Sequence, residues 1–114
     1  VRPASVIQLR DGYVFVAMFG RLESLTEVMA EQRAIASACA KRGDRRVRFD
    51  NRATLAPSEA LRNAMFEWAA SFERSALLLE SEMAAVRTNM WAVSKRATVR
   101  AFHDEQLAIQ WLCR

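Results

Sequence analysis

With 114 residues, 52% of them hydrophobic and 26% charged, the chain has the size of one domain and enough apolar side chains to bury a core, which excludes intrinsic disorder. Three glycines and two prolines leave little room for long irregular loops, and no apolar run approaches the length needed to cross a bilayer. The net charge of +4, carried by fifteen arginines and two lysines, speaks to solubility and weak association, and does not establish a nucleic-acid partner.

Residues 5–10 and 13–19 are β-branched and aromatic runs on either side of Asp11-Gly12, a strong hairpin signal because such pairs tolerate a tight turn. The second run, Tyr13-Val14-Phe15-Val16-Ala17-Met18-Phe19, is apolar on both faces, as a central strand covered from both sides would be. Ser24 with Glu27 three residues later forms a capping box. Leu25, Val28, Met29, Ile35, Ala36 and Cys39 then trace one face of a first helix, which Gly43 stops. Arg46-Val47-Arg48-Phe49-Asp50 alternates like a half-buried strand. Pro57 suits a first helical turn, and Leu61, Met65, Trp68 and Phe72 follow at helical spacing. Residues 76–79 form a short buried strand. Met83, Val86, Met90 and Val93 mark the apolar stripe of a third helix ending near Lys95-Arg96. Residues 98–102 read as the last strand, and Asp104 caps a closing helix with Leu107, Ala108, Trp111 and Leu112 on its apolar side. The order β-β-α-β-α-β-α-β-α predicts one α/β domain over residues 1–114, with a mixed, mostly parallel sheet.

The residues that could carry chemistry are few. His103 is the only histidine; beside Asp104 it lacks a nucleophile and the geometry of a base held by its orienter. One histidine and two distant cysteines do not make a metal-ligand spacing, and no glycine-rich phosphate loop occurs. The chain therefore reads as a non-enzyme without catalytic residues, metal or cofactor. Cys39 and Cys113 form no C-x-x-C pair and read as reduced, buried, structural thiols. With no basic, apolar leader at the start, they point to the cytoplasm. Asp50 at a strand end could line a small polar crevice with Arg52 and Ser58, on the side where open α/β sheets bind ligands. Lys41, Arg42, Arg45, Arg46, Arg48 and Arg52 cluster in sequence, but without an aromatic nucleic-acid motif they read as a solvated surface, which argues against nucleic acid or membrane as partner. Trp91 lies off the third helix's stripe, either as peripheral core or as an aromatic anchor for a partner.

The hairpin with Phe19-Gly20, the strand ending in Phe49-Asp50, Pro57-Ser58 at a helix start, and the closing Arg100-Ala101-Phe102-His103-Asp104-Glu105 with Ala108 and Trp111-Leu112 together resemble the SpoIIAA-like superfamily, which includes STAS domains and small uncharacterised bacterial proteins. The resemblance implies a SpoIIAA-like fold and a binding role. Antagonists of this kind dock on anti-sigma-factor kinases and are switched by phosphorylation in an Asp-Ser-Ser-Gly-like segment. Ser58 stands near that switch position, but Ala56-Pro57-Ser58-Glu59 lacks the aspartate and the glycine, which argues against a phosphoswitch here. The expected function is thus a regulatory or protein-interaction module with a protein partner, leaving room for a homodimer. The alternative is a binding domain for a small apolar or lipid-like ligand, implied by the superfamily's likeness to lipid-transfer folds and by the Met- and Trp-rich helices.

Overall fold

The computed structural model describes residues 4–20, 24–43, 46–54 and 59–114. In chain order the elements are β1 (Ala4–Arg10), β2 (Tyr13–Gly20), α1 (Leu25–Arg42), β3 (Arg46–Thr54), α2 (Glu59–Ala69), β4 (Arg74–Leu78), α3 (Glu82–Ser94), β5 (Val99–Phe102) and α4 (Glu105–Leu112). The predicted order of strands and helices is the observed one. β3 runs four residues past its predicted end, and Pro57 lies outside the described residues.

The five strands stand in sheet order β1-β2-β3-β4-β5. β1 and β2 pair antiparallel around the Asp11-Gly12 turn, with Arg10 opposite Tyr13, and the left-handed φ of 85° is taken by Gly12. The other neighbours pair in parallel. Each parallel crossover steps one strand in the same direction, so right-handed crossovers put α1, α2 and α3 on one face of the sheet. Their common core holds Val28, Ile35 and Cys39 from α1, Ala69 from α2, Ala85 and Ala92 from α3, and Val14, Val16, Val47, Phe49, Leu77 and Val99 from the strands. α4 lies on the other face. There Ala108 and Leu112 pack with Tyr13 and Ala76.

β2 is an interior strand, with β3 at the middle of the sheet. Val14, Val16 and Met18 face the three-helix core. On its opposite face Tyr13 packs with α4 and Phe15 lies against the same cluster, with two guanidinium groups over its ring: Arg10 at 5.1 Å and Arg48 at 4.3 Å from the ring centroid. Cover from both sides is therefore a helix layer on one side and a mixture of helix and arginine on the other.

Local signals place the helices. Ser24 Oγ accepts from the Glu27 amide, Ser81 Oγ from that of Ala84, and an Asp104 carboxylate oxygen from that of Leu107, so three helices start on side-chain caps. Gly43, left-handed at φ 83°, ends α1 by donating to the Cys39 carbonyl.

β5 is an edge strand, and its exposed backbone is dealt with by one side chain. Asn89 of α3 accepts from the Ala101 amide at 2.7 Å and donates to the Ala101 carbonyl at 3.0 Å, closing the edge where another strand could pair. Asn89→Ala leaves both groups without that partner and is expected to cost about 1–3 kcal/mol in urea denaturation. It should also increase aggregation on heating. A loss under about 0.5 kcal/mol would mean that water replaces the side chain at no cost.

Three expectations need correction. The stripe Met83, Val86, Met90 and Val93 does not face the core. These four side chains are exposed, at 69%, 52%, 68% and 78%, while Ala85 and Ala92 face inward. Small residues fit there because α3 lies close against β5, where Val99 and Ala101 meet it. Arg46 and Arg48 are not a solvated surface, since both support α4 (below). Cys39 is buried as expected, but Cys113 is exposed at the C-terminal cap of α4. Leu25, Met29 and Leu107 are exposed as well, so the true inner stripes are narrower than hydropathy suggests.

Candidate functional site

The basic residues of β3 and β4 are largely committed to holding α4. Arg46 Nη1 donates to the Leu112 carbonyl at 3.0 Å and Arg74 Nη1 to the Trp111 carbonyl at 2.7 Å. Two cations thus meet carbonyls that the end of a helix leaves unpaired, where the helix dipole also favours positive charge. Arg46 is held in turn by Glu73 at 2.9 Å, and Arg74 lies over the Trp111 ring. Arg48 is 3% exposed; its Nη1 meets Glu105 Oε1 at 3.0 Å and its guanidinium stacks over Phe15 and Tyr13. Arg48 Nε has no hydrogen-bond partner among the described residues. What the sequence presents as one basic cluster is divided in space. Lys41 is exposed at the end of α1, Arg46 and Arg48 lie under α4, and Arg52 pairs with Asp50.

Asp50 and Arg52 lie together on β3. Arg52 donates from Nε to Asp50 Oδ1 at 3.0 Å and from Nη2 to Oδ2 at 2.7 Å, with its backbone amide adding a third contact at 3.2 Å. The hydrogen-bonded Arg52 side chain holds the Asp50 carboxyl below its ordinary 3.8, against the opposing effect of burial. A lowered folded value means that the pair contributes fully at neutral pH. That contribution is lost as pH falls below the unfolded-state value toward the folded one. Because Arg52 is largely exposed, the pair is worth little in water, about 1 kcal/mol at most. Its polar atoms are engaged with each other. Ser58, the third member of the expected crevice, lies outside the described residues. Trp91 is half-buried, with its ring 5.0 Å from that of Phe66, and packs at the margin of the three-helix core.

A cavity of about 40 Å³ opens elsewhere, between α1, α2 and the carboxyl ends of β2 and β3. Met18, Val28, Ile35, Phe49, Met65 and Trp68 give it apolar walls. Glu31 and Asn51 also line it, and Glu31 Oε2 and Asn51 Oδ1 are buried without a hydrogen-bond partner among the described residues. Each buried acceptor calls for a donor, and the volume holds a water molecule or two. Asp50 and Arg52 are on the other face of β3, since side chains alternate along a strand. Neither Glu31 nor Asn51 was among the expected site residues. Both were readable, because Glu31 falls between Val28 and Ile35 on the inner stripe of α1 and Asn51 continues the Val47–Phe49 face of β3. Polar residues at inward positions are the signal.

Among the described residues, the outer face of α3 carries more exposed large hydrophobic side chains than any other element. Met83, Val86, Met90 and Val93 follow a three-four-three spacing, which aligns them along the 13-residue helix. Glu80 and Glu82 lie exposed at its N-terminal end and Lys95 and Arg96 at its C-terminal end. Isolated surface hydrophobes are ordinary, but four in one line on one helix form a patch that water does not favour. Among the described residues no group of three His, Cys, Asp or Glu side chains converges to hold a metal ion, and no helix is long and apolar enough to cross a membrane.

No protein-family model matches the sequence, and no curated protein sequence does. Solved structures do match. An uncharacterised protein of the DUF3478 family with a SpoIIAA-like fold, from Shewanella loihica, superposes with a TM-score of 0.69 at 18% identity, over 97% of this chain and 94% of that one. An anti-sigma factor antagonist from Mycobacterium paratuberculosis superposes with a TM-score of 0.65 at 12% identity, over 99% of this chain and 96% of that one. Identities this low speak to shape and not to activity. Superposition over nearly the whole length of both chains shows that this chain adopts a SpoIIAA-like fold.

Proposed function

We propose that this protein is a non-enzymatic, cytoplasmic interaction module that docks a protein through the outer face of α3. The observation that carries the reading is the exposed line Met83, Val86, Met90 and Val93. Docking would remove these side chains from water, each worth about 1.5–3 kcal/mol when fully buried. A fold shared with an anti-sigma factor antagonist supports a regulatory role of the same kind, exerted by surface complementarity. The reading needs no phosphate at Ser58, because the segment around it departs from the antagonists' switch.

The second reading, a small-ligand domain, is favoured by the two orphaned acceptors in the apolar cavity. Size favours the first. A space of about 40 Å³ is far below the roughly 300–1,000 Å³ of ordinary ligand pockets, so a ligand would have to part α1 from α2. Docking at α3 needs no rearrangement.

The reading is tested by placing a photo-crosslinking amino acid at position 90 in cells of the source organism, with position 110, exposed on α4, as the control. Covalent adducts to protein are expected from position 90 and not from 110. Absence of any adduct above control would contradict a docking role for α3.

A further inference from the structure

We propose that the partner on α3 is a second copy of this chain, bound antiparallel about a twofold axis near Thr88. The proposal rests on the reading that α3 docks a protein. What it adds comes from the order of residues along the helix. In an antiparallel pair Met83 of one copy meets Val93 of the other, and Val86 meets Met90, so every apolar residue of the stripe finds an apolar counterpart. The same arrangement brings Glu80 and Glu82 at one end of the helix alongside Lys95 and Arg96 at the opposite end of its partner, twice by symmetry. A parallel arrangement would instead set acid against acid and base against base. Charges so ordered make the face complementary to itself, as a twofold interface requires. Opposed helix dipoles favour the antiparallel sense too. The two Arg87 side chains, exposed on the flank of the stripe, would lie across the axis from one another and oppose association. The face is about 20 Å long. At the roughly 10 Å width of one helix this is roughly 200 Å² per copy, well below the roughly 800 Å² per partner of a standard stable interface, so a weak, reversible dimer is expected.

The test is sedimentation equilibrium of the full chain over a wide concentration range, with circular dichroism to confirm that each variant is folded. The unaltered protein should dimerise reversibly. Met90→Glu should raise the dimer dissociation constant at least about tenfold, and Arg87→Gln should lower it by about twofold or more. With Cys113 replaced by serine, a mixture of Met83→Cys and Val93→Cys chains should form mixed disulfides, whereas Met83→Cys alone should not, its two sulfurs being about 15 Å apart along the axis. A chain that stays monomeric at several hundred micromolar, a dimer unaffected by Met90→Glu, or Met83→Cys chains that cross-link to themselves would overturn the proposal. Binding of the monomer to anionic phospholipid vesicles through the same stripe would assign the face to a membrane. Adducts from position 90 to a different protein would sink the dimer while leaving the docking role intact; no adducts at all would sink both.

Discussion

Replacing Leu112 by alanine should cost about 3–4 kcal/mol of stability, the middle of the range for deleting a fully buried leucine. Leu112 anchors α4, the one helix on its face of the sheet among the described residues, which meets the sheet over β3, β4 and β5. Two arginines hold the carbonyls of Trp111 and Leu112, so the helix cannot easily move to fill the space left behind. Trp111 next to it is larger but only half-buried, with one side against Phe102 and Arg74. Trp111→Ala should therefore cost less, about 1–2 kcal/mol. Urea denaturation of both variants decides it. A greater loss from Trp111→Ala would mean that α4 turns a different side to the sheet.

Arg48→Ala should cost about 2–4 kcal/mol, while Arg48→Met should cost about 1 kcal/mol or less. The difference follows from what this guanidinium does. It fills space under α4, sits over the Phe15 ring, and meets Glu105 through one nitrogen while another is left buried and unpaired among the described residues. Alanine removes packing and charge together. Methionine keeps most of the volume and removes an ion whose desolvation offsets its attraction to Glu105, itself nearly half exposed. Equal losses for the two variants in chemical denaturation would show that the ion pair outweighs the packing.

The order of elements was legible because each was punctuated locally: the Asp11-Gly12 turn, the Ser24 and Asp104 caps, and the Gly43 stop all act where they stand in sequence. What was not legible was which side of a helix faces in when both sides are apolar. α3 carries Met83, Val86, Met90 and Val93 on one side and Ala85 and Ala92 on another, and both sets have helical spacing. Size argues for burying the methionines. The distance between α3 and β5 settles it for the alanines, and that distance is a tertiary property. The fate of Arg46 and Arg48 was hidden for a similar reason: alternation placed them on one face of β3, but nothing local says that α4 will close over it. Asp50 and Arg52, read from the sequence as lining a crevice, pair with each other. Glu31 and Asn51, separated by a helix end and a strand, are brought to one cavity only by the fold.

That the apolar line on α3 is a contact surface and not core is the claim on which the functional account stands. The most direct measurement of it is chemical denaturation of the Met90→Gln, Val93→Gln double variant, at a chain concentration low enough to keep the protein monomeric. Exposed side chains contribute little to the folded monomer, so the double variant should unfold within about 0.5 kcal/mol of the parent. A loss above about 3 kcal/mol would place these side chains in a packed interior and contradict the account.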